Sequence, residues 1–134
     1  MINVYSDNVT VPAEGIYPLN VVTLRKGCTA SINGTSIELN KAGVYMVSVD
    51  ATLDPTADGT VGIQLVRDGV EQADAVSIVD GVAATPASLS FETLVQCPQN
   101  NTGCCCSMPT TLIIKNTGEQ EANGHIHVVV TKVC

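Results

Sequence analysis

One stretch decides the fold, because its side chains alternate strictly between two sets over eleven residues. It reads Gly43-Val44-Tyr45-Met46-Val47-Ser48-Val49-Asp50-Ala51-Thr52-Leu53. One parity carries Tyr45, Val47, Val49, Ala51 and Leu53, whereas the other carries Val44, Met46, Ser48, Asp50 and Thr52. A period of two is that of a β-strand with one buried face. The stretch therefore predicts a strand whose core side includes Tyr45.

The composition extends this strand prediction to the whole chain. Val, Ile and Thr supply 42 of the 134 residues, and aromatic residues make up only 3%. Residues branched at Cβ favour strands, and the 11 Gly and 6 Pro interrupt any long helical pattern. A chain of this length forms one domain with a core of its own. The sequence therefore predicts a single all-β domain.

Similar alternation recurs along the chain. Apolar side chains occupy alternate positions over 61–66 and 88–95, which predicts two more half-buried strands. Further strands are predicted over 18–25, 28–32, 36–39, 73–79, 110–115 and 125–133. Tight turns are predicted at Asn33-Gly34, Asp58-Gly59, Asp68-Gly69, Asp80-Gly81 and Asn123-Gly124. Eight to ten short strands at this spacing indicate an antiparallel two-sheet jelly roll; an immunoglobulin-like sandwich is the alternative, disfavoured by the lack of Trp.

The charge balance excludes several classes of partner. Six Lys and Arg against 13 Asp and Glu give a net charge of −7, and the only adjacent basic pair is Arg25-Lys26. Nucleic-acid binding needs clustered cations, so it is disfavoured. No run approaches the roughly 18 apolar residues of a membrane helix. Residues 1–7 lack the basic start and apolar run of a signal peptide, so neither membrane insertion nor signal-directed export is expected.

The cysteines concentrate between two predicted strands. Cys97 precedes Cys104 by seven residues and Cys106 by nine, so either could close a loop disulfide. Free thiols and a metal site are the other two readings. Three consecutive cysteines in an extended chain point to alternating sides, and the spacing lacks the paired ligands typical of zinc. The sequence therefore names Cys97, Cys104 and Cys106 as disulfide candidates and predicts no metal.

No catalytic motif is present. A nucleophilic Cys105 would need His125 or His127 as its base, and nothing in the sequence brings them together. The two histidines share one parity of the last strand with Val129, opposite an apolar set consisting of Ile126, Val128 and Val130. They should therefore face outwards, either exposed or at an interface, where a trimer could also bring them round one metal ion. No catalytic residue and no cofactor is predicted.

A family resemblance rests on residues 37–49. Ile37-x-Leu39, a short loop and then Gly43-x-Tyr45-x-Val47-x-Val49 resemble the jelly rolls of the tumour necrosis factor and complement globular-head superfamily. The likeness continues through 62–69, 89–95, 111–116 and 126–132, and it is strongest to small head-like proteins of gut bacteria and their phages. The resemblance implies a compact homotrimer that serves attachment, decoration or recognition.

These observations together predict a non-enzymatic phage virion protein, a trimeric head that decorates the capsid or caps a fibre and attaches to a host surface. The implied partners are two further copies, other virion proteins such as the capsid, and a host-surface ligand. A bacterial surface or spore-coat head and a small Cys-dependent enzyme are the alternatives. Residues 1–15 are predicted to form an attachment arm and 16–134 the jelly roll. The predicted trimer contacts are Tyr45, His125, His127, Val129 and Val133.

Overall fold

The computed structural model describes residues 1–19, 21–27, 30–97 and 105–133, and at 8, 23, 24, 33 and 105–109 it describes the backbone alone. The described chain is built from strands. They are β1 (Ile2–Val11), β2 (Val21–Arg25), β3 (Ala30–Asn33), β4 (Ser36–Lys41), β5 (Gly43–Pro55), β6 (Gly59–Arg67), β7 (Val70–Gly81), β8 (Ala87–Cys97), β9 (Cys105–Lys115) and β10 (Ala122–Lys132). None of the described residues forms a helix that could cross a bilayer.

The strands form two antiparallel five-stranded sheets. Sheet A has the order β2-β1-β10-β5-β8, and sheet B has the order β3-β4-β9-β6-β7. A single bridge between Ile16 and Lys115 adds one more pairing beyond the ten strands. The predicted all-β, two-sheet jelly roll is confirmed.

The core lies between the inner faces of the sheets. The apolar parity of β5 is fully buried along the strand, as the alternation from Gly43 to Leu53 predicted. Two tyrosines are the largest side chains of this core, and each phenol donates a hydrogen bond to a carbonyl oxygen. Tyr17 donates to Gly62 at 3.1 Å and Tyr45 to Lys41 at 2.7 Å. Both rings are thus buried without an unsatisfied hydroxyl.

The N-terminal segment belongs to the jelly roll. Strand β1 pairs with β10 on one side and β2 on the other, and Ile2, Val4 and Val11 are buried. A shift in the β1–β10 register between Ser6 and Val9 interrupts the alternation, which is why the sequence pattern did not identify this strand. The predicted separation of 1–15 as an arm is therefore wrong for residues 2–11. A role of this segment in attachment stays a prediction.

The predicted turns divide into two groups. Asp68 and Gly69 form a two-residue hairpin with φ values of 50° and 83°, which the Asp-Gly pair favours. Asp80-Gly81 instead form the last two residues of β7 and Asn123-Gly124 lie within β10, so those turn predictions are wrong. A Cβ at Gly124 would lie 2.0 Å from the Thr52 carbonyl oxygen. Glycine is needed there because β10 approaches β5 too closely for any side chain.

Strand β6 is covered on both faces. Its inner parity was predicted to be buried, but Gly62, Gln64 and Val66 on the outer parity are buried as well. Beside Gly62, the side chains of Thr117 and Ile78 fill the space that a Cβ would occupy. The prediction of a half-buried strand is therefore wrong for β6, because a distant loop and the neighbouring strand close its outer side.

Candidate interaction surface

The outer face of sheet A consists of the side chains that point away from the core on its five strands. Strand pairing aligns them in rows that cross the sheet. One row runs from Tyr5 through His127 and Asp50 to Ser90. The next row runs from Asn3 through Val129 and Ser48 to Glu92. Strands β10 and β5 lie beside each other within the sheet, so their side chains occupy the middle of this face.

His127 is held in place by the neighbouring strand. Its Nε2 atom hydrogen-bonds to Asn3 Oδ1 on β1. An amide oxygen only accepts, so the ring donates through Nε2, and in the neutral imidazole Nδ1 is then the accepting atom. The ring is half-buried, whereas His125 two residues earlier is exposed. Both histidines therefore lie on the outer face, where His127 is half-buried and hydrogen-bonded to β1 and His125 is exposed.

Two shallow cavities lie on either side of this pair of histidines. The first, of about 330 Å³, is lined on the far side by polar groups of β5 and β8 that include Asp50, Thr52 and Ser90. The second, of about 360 Å³, is bounded by Tyr5 and Asp7 on β1. Within the part of the chain that the structure describes, no three His, Cys, Asp or Glu side chains converge as a metal site requires.

An apolar patch occupies the end of the same face nearest the start of β5. It consists of Val44, Met46, Leu94, Val129 and Val133. Met46 lies directly opposite Leu94 in the β5–β8 pairing, and the Val133 amide donates to the Val44 carbonyl oxygen at 2.8 Å. Leu94 is 64% exposed and Val133 is 48% exposed. Contiguous apolar side chains on an outer sheet face indicate a surface that another molecule covers.

The predicted contact residues do not all share this surface. His125, His127, Val129 and Val133 lie on the outer face, but the Tyr45 ring points into the core and is fully buried. Tyr45 is therefore excluded as a contact residue, because its side chain cannot reach another chain. Its neighbours on β5, Val44 and Met46, lie on the outer face and are partly exposed. The sequence already contains an indication of this patch. Val44 and Met46 are apolar, whereas the other side chains on the same face of β5 are those of Ser48, Asp50 and Thr52.

Cys97 is buried at the end of β8 and is disulfide-bonded. Thr110 Oγ1 donates a hydrogen bond to its sulfur at 3.4 Å, and the Leu39 carbonyl oxygen lies 3.7 Å away on the other side. A disulfide sulfur has no proton, so the second approach is a contact only. Cys104 and the side chains of Cys105 and Cys106 lie outside the described residues. The pairing of Cys97 with Cys104 or Cys106 therefore stays a prediction.

Solved structures share this fold, although no protein-family model and no curated protein sequence matches the chain. Eiger TNF from S. frugiperda is similar with a TM-score of 0.70 and 14% identity, over 99% of this chain and 92% of that one. The globular domain of zebrafish complement 1qA follows with 0.68 and 8%, over 99% and 96%. The PRD1 vertex protein P5 has 0.62 and 11%, also over 99% and 96%. At these identities the likeness shows the fold alone, and at that level the resemblance expected from residues 37–49 is confirmed: the chain is a jelly roll of the kind seen in tumour necrosis factor and complement heads.

Proposed function

We propose that the protein is a non-enzymatic structural head of a phage virion, which assembles as a homotrimer and decorates the capsid or caps a fibre. The observation that carries this proposal is the apolar patch on the outer face of sheet A. Leu94 is 64% exposed in the single chain, and Val44, Met46 and Val129 extend the patch towards β10. A symmetric partner that covers the patch removes this apolar surface from water.

The dimensions of the face suit a stable interface. Five strands spaced about 4.8 Å apart span roughly 24 Å, and nine residues of β5 extend about 30 Å. The resulting area of about 700 Å² is close to the roughly 800 Å² per partner that a standard interface buries. In this arrangement β5 and β10 lie nearest the three-fold axis. His125, His127, Val129 and Val133 then meet the neighbouring copies.

One of the comparisons supports the virion role. A protein of similar fold is described as the vertex protein P5 of PRD1. In this proposal the outer face of sheet A serves contact with other chains.

Light scattering tests the trimer. The chain of 13.9 kDa should scatter as a particle of about 42 kDa, three times its mass, at micromolar concentration. Leu94→Arg places a charge within the patch and should yield a folded monomer. Val70→Arg changes an equally exposed valine on β7 of sheet B and should leave the trimer intact. A wild-type monomer, or equal dissociation by both variants, would reject this assembly face.

Labelling of intact particles tests the virion role separately. An antibody raised against the isolated chain should bind at a repeated position on purified phage particles, and electron microscopy then distinguishes a capsid from a fibre location. Particles that lack the protein would reject the virion role even if the chain is trimeric in solution.

A further inference from the structure

Positive charges collect at one end of the sandwich. This basic end consists of the Met1 ammonium group, Arg25, Lys26, Lys41 and Lys132. The Met1 ammonium group donates to the Lys26 carbonyl oxygen at 2.9 Å, and Arg25 pairs with Ile2 across β1 and β2. The four side chains are exposed. Four of the six Lys and Arg residues of the chain therefore lie at this end.

Strand pairing connects the remaining two lysines to the same end. Lys132 lies opposite Tyr45 in the β10–β5 pairing, and the Tyr45 hydroxyl donates to the carbonyl oxygen of Lys41. Among the described residues the ion pairs are those of Lys115 with Glu14 and Glu71, so Arg25, Lys26, Lys41 and Lys132 have no carboxylate partner there. The nearest acidic residue along β8 is Glu92, which faces Ser48 three residues beyond Tyr45.

Five of the 13 acidic residues lie at the opposite end. Those that lie there, around the ends of β5 and β7 and the starts of β6 and β10, are Asp54, Asp58, Asp80, Glu119 and Glu121. Tyr45 and Asp54 are nine residues apart on β5, a distance of about 30 Å. The other eight acidic residues are distributed over the rest of the chain, and they include Glu38, three residues before Lys41 on β4, and Glu92 on β8. The ends are separated by several times the Debye length of about 8 Å at physiological salt, so each acts on its surroundings independently. The net charge of −7 therefore does not describe the basic end.

We propose that the basic end docks on an acidic surface of another protein, the one that carries this head. This inference rests on the proposed function and adds the orientation in which the head is attached and the chemistry of its carrier. A trimer presents the basic end three times around one axis, so three weak contacts act together and gain affinity through effective concentration. A single exposed ion pair contributes little binding free energy. Several together set the orientation in which the head docks and raise its association rate.

The residues favour a protein carrier over the other polyanions. Single-stranded nucleic acid is bound through aromatic side chains on which the bases stack, and no described aromatic ring is exposed at this end, where Tyr45 is buried. Phosphate recognition also favours the bidentate guanidinium group, yet three of the four cationic side chains are lysines. Ammonium groups at the ends of different strands are complementary in charge to carboxylates distributed over the surface of a folded protein.

Binding to immobilised poly-L-glutamate tests the docking surface, with duplex DNA and vesicles containing one-third phosphatidylserine as the competing polyanions. The wild-type chain should bind poly-L-glutamate at 50 mM salt and lose most binding at 200 mM. Lys26→Gln/Lys132→Gln should weaken binding about five-fold or more. Arg67→Gln/Lys115→Gln changes the net charge equally outside the basic end and should stay within two-fold. Arg25→Gln/Lys41→Gln provides a second basic-end pair if the first unfolds.

The outcomes separate the two proposals. A trimer that does not bind poly-L-glutamate, or that loses binding equally in the basic-end and control variants, rejects the docking surface and leaves the trimer intact. Tighter binding to DNA or to the vesicles rejects an acidic protein as the carrier. A monomer that still binds through Lys26 and Lys132 rejects the trimer and leaves the docking surface standing.

Discussion

Strands β5 and β6 lie in opposite sheets, and both direct one apolar parity into the same core. They differ on their outer sides. On β6 the outer side is closed by the chain itself, where Thr117 and Ile78 pack around Gly62. On β5 the outer parity is partly exposed, and its first members, Val44 and Met46, are apolar.

The difference separates stability from assembly. The outer side of β6 has already been removed from water, so its residues contribute to the folding of one chain. The outer side of β5 has apolar side chains that are partly exposed to water in the single chain, and in the proposed trimer another copy covers them. Substitutions on the two strands should therefore affect different measurements, and the following predictions are ordered by the size of their effect on stability.

Truncation of the buried ring of β5 should have the largest effect. Tyr45→Ala is expected to lower the free energy of unfolding by about 3–5 kcal/mol, because it leaves a cavity between the sheets. Tyr45→Phe keeps the ring and removes the hydroxyl that donates to the Lys41 carbonyl oxygen, so a loss of about 1 kcal/mol is expected. Urea unfolding measures both. A loss below about 1 kcal/mol for Tyr45→Ala would remove this ring from the core.

A methyl group on the closed side of β6 should have an intermediate effect. Its Cβ would lie 2.7 Å from Thr117 Cγ2 and 3.0 Å from Ile78 Cγ1, so Gly62→Ala should cost about 1–3 kcal/mol. Ser48→Ala on the open side of β5 should stay within about 0.5 kcal/mol. Both are measured by urea unfolding in the Leu94→Arg background, which takes assembly out of the comparison. Equal costs at the two positions would contradict the assignment of a closed and an open side.

The smallest effect on stability should be the one that alkaline pH has through the two buried tyrosines. Burial raises the pKa of Tyr17, whose hydroxyl donates to β6, and also raises the pKa of Tyr45 on β5. Below pH 10 both phenols are neutral in the folded and unfolded chains, so their contribution is complete. Above pH 10 the unfolded chain releases these protons first, and stability falls by at most about 1.4 kcal/mol per pH unit for each tyrosine.

Chemical unfolding from pH 8 to pH 11 checks this alkaline loss. Tyr17→Phe should be less stable at pH 8, because it lacks the hydrogen bond to Gly62, yet its stability should fall less steeply above pH 10. An unchanged slope in that variant would show that the Tyr17 phenol ionises equally in both states.

The sequence predicted the inner faces because alternation is a local property. Tyr45, Val47 and Val49 could be assigned to the core from their spacing alone, and the hairpin at Asp68-Gly69 follows from the backbone preferences of its two residues. What covers an outer face is set by residues far away in the chain. Nothing near Gly62 in the sequence indicates that Thr117 will pack against it.

Two errors in the sequence predictions have the same cause. Strand β1 was not predicted because its register with β10 shifts between Ser6 and Val9, which interrupts the alternation. The shift is defined by the partner strand, which lies more than 100 residues away in the sequence. Asn123-Gly124 was predicted to be a turn because such pairs favour one. The glycine is instead required by the approach of the Thr52 carbonyl oxygen from β5. The register shift of β1 and the glycine at position 124 both depend on the neighbouring strands, which the local sequence does not indicate.

The place of β10 in sheet A sets the order in which the protein can fold as it is synthesised. This strand is the last of the ten to leave the ribosome, yet it lies between β1 and β5, and Ile2 pairs with Val130. Until residues 122–132 emerge, β1 and β5 cannot be joined in one sheet, and each leaves one side of its backbone unpaired. Folding must then close a loop that spans nearly the entire chain, which makes it slow compared with that of helical domains of the same size. Until that final strand is inserted, the facing edges of β1 and β5 are open, and open strand edges favour aggregation.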